Sequence, residues 1–193
     1  MKNFLDKIFL RFNNLDSISK NIQNLTNNTP VYKIFDAIDS YSSESEIRYV
    51  GGCVRKILSD EKIDDIDLAT NLEPKQVCEA LEKNNIRFFE SGIDHGTITA
   101  IDDKYKFEIT SLRKDISTDG RHAKVIFSKD WKEDASRRDF TINAIYADIE
   151  GRIFDPLDGV KDLKNRKINF IGNAEKRIQE DYLRILRYFR FFT

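Results

Sequence analysis

The residues best suited to chemistry are two carboxylates, Asp65 and Asp67, in a short apolar segment. Side chains two positions apart on a β-strand point to the same face, so both carboxylates are expected to lie together while Ile66 and Leu68 point into the core. Two close carboxylates repel each other unless a cation lies between them. Mg²⁺ is bound in this way, by one or two carboxylates together with substrate phosphates. The spacing therefore predicts a Mg²⁺ site, and the alternative is a pair of solvent-facing acids.

A third carboxylate, Glu108, lies in a second alternating segment over residues 105–110. Phe107 and Ile109 share one face of this segment, and Glu108 takes the other. If the segment pairs with the strand of Asp65, Glu108 joins the two aspartates. Two metal ions about 3.5–4 Å apart on such carboxylates stabilise the attacking and leaving oxygens of an in-line phosphoryl displacement. The alternative is that Glu108 is the cross-strand partner of a lysine.

A phosphate-binding turn is indicated by residues 49–55, Tyr-Val-Gly-Gly-Cys-Val-Arg. A strand that ends at Gly51 and Gly52 and leads into a helix lets backbone N–H groups approach an anion closely, and the helix N-terminus adds a partial positive charge. Arg55 falls in the first helical turn, where its guanidinium can bind a phosphate through two N–H groups. Taken alone, the glycine pair is equally consistent with an ordinary tight turn.

Short strands and short helices alternate around these residues. We predict strands at residues 47–50, 66–69, 86–89, 97–101, 106–112 and 145–149, with a hairpin to residues 151–154. We predict helices at residues 31–41, 54–58, 74–83, 135–144 and 175–192. This order favours an α/β (α+β) fold with a mixed sheet flanked by helices. The expected organisation is a poorly ordered leader with some helix over residues 1–30, a head domain over residues 31–150, and a helical extension over residues 151–193.

Composition limits the class of protein. The chain has 193 residues, a formal net charge of −1 and 40% hydrophobic residues, which fits one globular domain with a short extension. Its apolar stretches fall far short of the roughly 20 residues of a membrane helix. Two cysteines exclude a disulfide framework and favour a cytoplasmic location. Residues 161–193 hold nine Lys or Arg and four Asp or Glu, which suits an anionic partner or a solvated helix face.

The last predicted helix has two faces. At about 100° per residue, an apolar arc opposes an arginine arc. The apolar arc holds Tyr182, Ile185, Leu186, Phe189 and Phe192, and the opposite arc holds Arg184, Arg187 and Arg190. Asp181 and Arg184 are three residues apart, so their side chains are neighbours that can offer both acceptors and donors to a base edge. The alternative is an exposed salt bridge worth a few tenths of a kcal/mol.

Four blocks in order make the sequence similar to the bacterial class II tRNA nucleotidyltransferases, the family of CCA-adding enzymes and poly(A) polymerases. The first joins residues 51–55 (Gly-Gly-Cys-Val-Arg) to residues 65–70 (Asp-Ile-Asp-Leu-Ala-Thr). The others are residues 137–144 (Arg-Arg-Asp-Phe-Thr-Ile-Asn-Ala), residues 154–159 (Phe-Asp-Pro-Leu-Asp-Gly) with Asp162 and Leu163, and residues 180–191 (Glu-Asp-Tyr-Leu-Arg-Ile-Leu-Arg-Tyr-Phe-Arg-Phe).

The resemblance implies a polymerase-β-like nucleotidyltransferase head followed by the first neck helix. It implies Mg²⁺ on Asp65 and Asp67, with Glu108 as a supporting catalytic carboxylate. The implied nucleotide-binding residues are Gly51, Gly52, Arg55, Arg138, Asp139, Asn143, Asp181, Arg184, Arg187 and Arg190. Arg138 is expected to face the sugar or phosphates. Asp139 and Asn143, four residues apart, are expected to share a helix face beside the same pocket. The pair Asp181 and Arg184 is implied to select CTP or ATP, and residues 119–122 resemble a mobile loop.

The function expected from the resemblance is a template-independent RNA nucleotidyltransferase. It adds CMP or AMP from CTP or ATP to an RNA 3′ end, above all that of tRNA, and releases pyrophosphate. Family members are considerably longer, so a second chain supplying a helical body is an expected partner. The alternative is a non-catalytic remnant that binds nucleotide or RNA, and a weaker one is a nucleotidyltransferase acting on small molecules or proteins. CCA addition and poly(A) synthesis share all four blocks.

Overall fold

The computed structural model describes residues 15–119 and 122–191 as a mixed sheet with helices. The strands are β1 (Ile47–Val50), β2 (Ile66–Thr70), β3 (Arg87–Gly92), β4 (Thr97–Asp102), β5 (Tyr105–Ser111), β6 (Arg113–Asp119), β7 (His122–Phe127), β8 (Tyr146–Ala147) and β9 (Ile153–Phe154). The α-helices are α1 (Leu15–Asn28), α2 (Val31–Asp39), α3 (Gly52–Leu58), α4 (Pro74–Lys83), α5 (Trp131–Arg137), α6 (Gly159–Lys164), α7 (Ala174–Glu180) and α8 (Leu183–Phe189). None of these helices is both long enough and apolar enough to span a membrane.

The central sheet has seven strands in the spatial order β3-β4-β5-β2-β1-β8-β9. β2 and β5 run parallel, whereas the other neighbouring pairs run antiparallel. β6 and β7 form a separate two-stranded sheet. The mixed sheet flanked by helices confirms the predicted fold class, and the predicted hairpin is present as β8 and β9.

The main core lies on one face of the sheet. Helix α2 buries Ile34, Phe35 and Ile38, whose spacing places them on one helix face. They belong to the same hydrophobic cluster as Leu68 of β2 and Ile109 of β5. Helix α4 packs on β3 and β4 on this side of the sheet, and its N-terminus is fixed by a capping box. The alternating apolar residues of the strands therefore determine which face is covered.

The opposite face is covered over only part of its width. A second hydrophobic cluster packs over the region of β8, β1 and β2; its members are Val50, Ala69, Leu112, Trp131, Ala135, Ala144 and Tyr146. We call this region the covered half. On β5 and β3 the same face presents exposed side chains, namely Lys106, Glu108, Arg87 and Phe89. Between them on β4, Thr99 is buried and donates to Ser91 Oγ at 2.8 Å. We call the face of β5, β4 and β3 the open half. The predicted acidic residues lie at the boundary between the two halves.

The N-terminal segment differs from the prediction. Residues 15–28 of the expected poorly ordered leader form α1, which buries Ile22 completely. The Thr26 hydroxyl lies 2.9 Å from the Tyr49 hydroxyl, so α1 is joined to β1 by a hydrogen bond. The apolar spacing that would have shown this helix is diluted by asparagine and lysine. The rest of the predicted leader, residues 1–14, lies outside the described residues.

Two predicted helices are wrong in extent. The helix predicted over residues 135–144 is instead α5, which ends at Arg137, followed by a 3-10 turn at Thr141–Asn143. The helix predicted over residues 175–192 is divided into α7 and α8, because Asp181 has extended backbone angles (φ −156°, ψ 102°). The hairpin of β6 and β7 was missed, and residues 120–121 of the predicted mobile loop lie outside the described residues.

The two arcs of the last helix differ in burial. The apolar arc is largely exposed: Tyr182 is 70%, Leu186 63% and Phe189 58% exposed. Arg184, on the opposite arc, is only 6% exposed. Arg184 is paired with Glu180 of α7. Ion pairs of this kind, together with the packing of Tyr188 against the main core, set the rotation of this helix.

Candidate active site

Two of the three predicted carboxylates lie side by side on the sheet, and the third comes directly before it. Asp67 is directly opposite Glu108 in the parallel pairing of β2 and β5, so the two side chains share a face. Asp65 immediately precedes β2 and is exposed. Burial raises the pKa of Asp67, and the negative charges of Glu108 and Asp65 raise it further, against the opposing effect of Arg138. The strand pairing required for Glu108 to join the aspartates is thus present, and the side chain sits opposite an acid rather than a lysine.

The glycine pair adjoins these acids. Gly51 has φ +68° and ψ −128°, a backbone conformation that is unfavourable for residues other than glycine. A Cβ atom at Gly51 would lie 3.6 Å from Arg138 Nη1, and one at Gly52 would lie 3.9 Å from Arg55 Nη2. Gly51 is buried and donates its N–H to the Ile145 carbonyl, whereas Gly52 is partly exposed. The turn lies between two guanidinium groups, which is an arrangement suited to an anion.

Cys53 connects this turn to the acidic strand. Its thiol is buried in the main core and hydrogen-bonds with the Asp67 backbone. Burial, together with the charge of Asp67, raises the pKa of Cys53 to about 12, so the thiol is protonated and unreactive at neutral pH. Cys53 is a structural residue that holds α3 against β2.

Arg138 is fixed from behind by an acid that the sequence analysis did not identify. Asp134, which is 1% exposed, accepts hydrogen bonds from Arg138 Nη2 at 3.0 Å and from the Tyr146 hydroxyl at 2.8 Å. Arg137 also donates to Asp134, from Nε at 2.8 Å. Burial alone would raise the pKa of Asp134, but the two arginines and Tyr146 outweigh it and hold the pKa at about 2. Arg138 Nη1 remains directed at Gly51, on the side of Asp67.

Asp139 and Asn143 meet, although not on the predicted helix face. Asn143 Nδ2 donates to Asp139 Oδ1 at 3.0 Å across the irregular turn after α5. Arg55 donates to Asn143 Oδ1, and its guanidinium lies 4.9 Å from the Phe191 ring centroid. Arg187 Nε donates to the other carboxylate oxygen of Asp139 at 2.8 Å. The turn therefore connects the glycine site to the C-terminal helices.

The expected pairing of Asp181 with Arg184 is not formed. Asp181 Oδ2 accepts from Arg187 Nη2 at 2.8 Å, while Arg184 Nη1 donates to Glu180 Oε2 at 2.7 Å and to the Arg177 carbonyl. The extended backbone at Asp181 moves its side chain out of the i, i+3 relation that a continuous helix would give. Arg190 lies close enough to Arg55 for its positive charge to help lower the pKa of Arg55, after the larger effect of burial.

The acidic group fits a hard divalent cation. Within residues 15–119 and 122–191, no three His, Cys, Asp or Glu side chains converge as a ready-made metal cluster. Two or three adjacent carboxylates with free oxygens, one of them with a raised pKa, nevertheless match the donor set of a cation that completes its coordination with water and phosphate. Asp65 and Asp67 are the residues able to hold such an ion, with Glu108 next to them.

Asp134 and Tyr146 are the supporting residues that sequence reasoning missed. A usable signal was present, because Asp134 precedes Arg138 by four residues in a segment predicted in part to be helical. The contribution of Tyr146 had no local signal, since it depends on the pairing of β8 with β1.

A mixed sheet with adjacent carboxylates and a neighbouring glycine turn defines a nucleotidyltransferase head. Comparison with known families agrees: residues 47–169 match the poly A polymerase head domain, and the chain belongs to this family. This confirms the predicted family and fold class.

Individual relatives point in the same direction. The chain is 52% identical over 148 residues to the human protein "CCA tRNA nucleotidyltransferase 1, mitochondrial", covering 76% of this chain and 34% of that one. Among solved structures, the CCA-adding enzyme of Bacillus stearothermophilus in complex with CTP has a TM-score of 0.73 at 33% identity, covering 84% of this chain and 38% of that one. A tRNA nucleotidyltransferase complexed with a primer tRNA and an incoming ATP analog has a TM-score of 0.65 at 26% identity, covering 82% and 44%. The chain thus spans about a third of the length of the human relative.

Proposed function

We propose that the chain carries the nucleotidyltransferase head of a template-independent RNA nucleotidyltransferase that adds CMP and AMP from CTP and ATP to a tRNA 3′ end and releases pyrophosphate. The main support is the register of Asp67 against Glu108 beside the glycine turn, in a member of the poly A polymerase head family. CCA addition is favoured over poly(A) synthesis because the matched relatives described above are CCA-adding or tRNA nucleotidyltransferases.

The residues of the chain have distinct roles in this proposal. Asp65 and Asp67 hold Mg²⁺, with Glu108 beside them; bound Mg²⁺ supplies Lewis-acid stabilisation of the triphosphate and of the attacking 3′ oxygen. The triphosphate lies against Gly51 and Gly52, where the absence of a Cβ atom permits a close approach.

Positive charges bind and orient the triphosphate. Arg55 and Arg138 lie on either side of the glycines and offset the negative charge of the phosphates. Asp134 keeps Arg138 in one orientation, so little rearrangement of this arginine is needed during the reaction. No protein nucleophile is required, because the 3′ hydroxyl of the RNA attacks directly.

Base selection by Asp181 and Arg184 requires a rearrangement. In the described state Asp181 is bound to Arg187 and Arg184 to Glu180. For Asp181 and Arg184 to recognise a base edge together, each must leave the partner that it has here. Asp139 can keep Arg187 bound when Asp181 releases it, since Asp139 already accepts a hydrogen bond from Arg187. Asn143 in turn is bound to Asp139.

The decisive test is incorporation of labelled CTP and ATP into tRNA lacking its 3′-terminal CCA, with the purified chain at high concentration. Asp65→Asn and Asp67→Asn are expected to lower the rate by at least about 10²–10³-fold, the range for loss of a group that stabilises transition-state charge. Asp64→Asn is the matched control, because Asp64 is exposed and paired with Lys56 at 2.8 Å. Unchanged incorporation by Asp65→Asn, or an equal loss by Asp64→Asn, contradicts the assignment.

The same assay addresses the alternatives. Nucleotide or RNA binding with no incorporation by the wild-type chain would favour the non-catalytic remnant, which the enzyme names of the relatives do not favour. Addition that stops after three nucleotides supports CCA synthesis, whereas continued addition of AMP supports poly(A) synthesis. A need for added helical body domains would identify a second chain or segment as the partner.

We also propose a cytoplasmic location. Cys53 and Cys78 are both unpaired, as expected of a reducing compartment. The human relative is named as mitochondrial, so imaging of a fluorescent fusion, with exclusive organellar signal as the contrary result, is the appropriate test.

A further inference from the structure

The open half of the sheet face continues directly from the acidic residues. Glu108 on β5 is paired with Thr99 on β4, and Thr99 is paired with Phe89 on β3. Residues paired across neighbouring strands share a face, so Asp67, Glu108, Thr99 and Phe89 form one row across the sheet. Three strand spacings of about 4.7–4.9 Å place Phe89 roughly 14 Å from Asp67.

Phe89 is an exposed aromatic side chain in a row that leads to the proposed reaction centre. It is 43% exposed, whereas its neighbour Phe88 points to the other side and packs against the main core. An alternating strand commonly places a polar residue at such an outward position. Burial in the main core therefore does not account for an aromatic residue at position 89.

Basic side chains accompany Phe89 on the same face. The adjacent row pairs Lys106 with Ile101 and Ile101 with Arg87, and both basic side chains are exposed. The acid next to Phe89 in sequence, Glu90, acts electrostatically on Cys78 of α4, on the core side of the sheet. Apart from Glu108, the face of β5, β4 and β3 carries no acidic side chain among the strand residues that alternate onto it.

The covered half leaves one direction of approach. The proposed triphosphate site lies at Gly51 and Gly52, and the second hydrophobic cluster fills the face beyond it. In an in-line displacement the attacking hydroxyl comes from the side opposite the leaving pyrophosphate. An RNA 3′ end that reaches Asp67 from the other side crosses the open half. This step rests on the proposed function.

We propose that the open half binds the single-stranded 3′ end of the RNA acceptor, with a base stacked on Phe89 and the phosphates near Arg87 and Lys106. An exposed aromatic residue beside basic side chains is the combination that single-stranded nucleic-acid sites use. At roughly 3.4 Å per stacked nucleotide, the distance from Asp67 to Phe89 corresponds to about four nucleotides.

The test measures binding of a fluorescent 12-nucleotide single-stranded RNA to the purified chain by anisotropy. Phe89→Ala is expected to weaken binding roughly 5- to 100-fold, as expected for the loss of one stacked base. Phe89→Trp is expected to bind within about threefold of wild type, with indole fluorescence quenched by RNA. Tyr32→Ala is the matched control, because Tyr32 is a 51% exposed aromatic residue on α2, on the core side of the sheet.

Two further measurements separate this proposal from the proposed function. Arg87→Ala and Lys106→Ala are each expected to reduce the slope of log affinity against log salt by about 0.7. Affinity for labelled CTP is expected to be the same in Phe89→Ala and wild type. RNA binding that depends on Phe89 in a chain without incorporation supports the surface and contradicts the transferase function. Equal RNA affinity of Phe89→Ala and wild type, or an equal loss in Tyr32→Ala, overturns the surface whatever the incorporation assay shows.

Discussion

Two acids on the same side of the sheet, one on helix α5 and one on strand β2, have opposite surroundings. In the covered half, Asp134 is buried and accepts hydrogen bonds from Arg137, Arg138 and Tyr146, and its pKa is held at about 2. At the boundary with the open half, Asp67 is half-buried and faces Glu108, and its pKa is raised by burial and then by that charge. The first acid is hydrogen-bonded to its counter-charges, whereas the second faces another acid, with Arg138 and Lys56 acting on it only through their charges.

The comparison shows how the chain divides stability from chemistry. A buried charge is tolerated where fixed partners surround it, and removing one partner is costly. Acids left next to each other weaken the fold locally but remain available to a metal and a substrate. The covered half therefore fixes Arg138 in place, and the boundary holds the acids that we propose to bind the metal.

The largest effect is expected from a substitution that removes the buried acid of the covered half. Asp134→Ala leaves the largely buried Arg137 and Arg138 without their carboxylate and is expected to lower the free energy of unfolding by about 3–5 kcal/mol, measured by urea denaturation. Glu150→Ala is the control, because its partner Arg152 has a side chain that is 78% exposed, and the expected loss is about 0–1 kcal/mol. Equal losses in the two variants would refute the contrast.

Acid provides a second way to weaken the covered half. The folded-state pKa of Asp134, about 2, lies below its ordinary value of 3.8, so its stabilisation is complete above about pH 4 and is lost as the pH falls towards 2. The expected contribution is about 2 kcal/mol. The free energy of unfolding, measured between pH 5 and pH 2, should therefore fall less steeply with decreasing pH in Asp134→Asn than in wild type. Parallel curves are the contrary outcome.

A smaller effect is expected at the glycine turn. Gly51→Ala places a side chain at φ +68° and is expected to lower the free energy of unfolding by about 1–3 kcal/mol. We expect incorporation activity to fall as well. Gly52→Ala is the matched variant, because its added Cβ meets only Arg55 Nη2 at 3.9 Å and its stability should change by less than about 1 kcal/mol. Thermal denaturation of both compares them directly, and a larger loss at Gly52 contradicts the backbone argument.

The smallest effect should have the opposite sign. Glu108→Gln removes a like charge directly opposite Asp67 and is expected to raise the free energy of unfolding by about 0.2–1 kcal/mol while incorporation falls. Lys106→Gln, two residues away on the same strand face, tests whether any neutral substitution stabilises β5 and is expected to show no gain. A destabilised Glu108→Gln variant would mean that Asp67 and Glu108 do not repel each other.

Much of the fold and of the acidic site could be predicted from the sequence because both follow short-range rules. Alternation places Asp67 opposite to Leu68, and the parallel register of β2 with β5 then brings Glu108 alongside. The roles given to these residues remain predictions. Alternation predicts the face of the strand on which a residue lies. Which residue lies next to it depends on how the strands pair in the sheet.

The errors lie where tertiary contacts override local pattern. The helix expected through Asp181 is broken there, and α8 turns its arginines inward because Asp139 and Glu180 bind Arg187 and Arg184. Helical periodicity assumes that the apolar arc is the buried one. Acids on other elements reverse that assumption, and a pattern within one helix carries no information about them.

The buried thiol behind the acidic strand gives the molecule an internal reporter. Cys53 is 1% exposed, whereas Cys78 is partly exposed on α4. An alkylating reagent can reach Cys53 only during moments when α3 separates from β2, and Cys78 provides the reference for intrinsic reagent reactivity. The rate of modification at Cys53 thus measures how often α3, which follows the glycine turn, separates from β2 in the native protein.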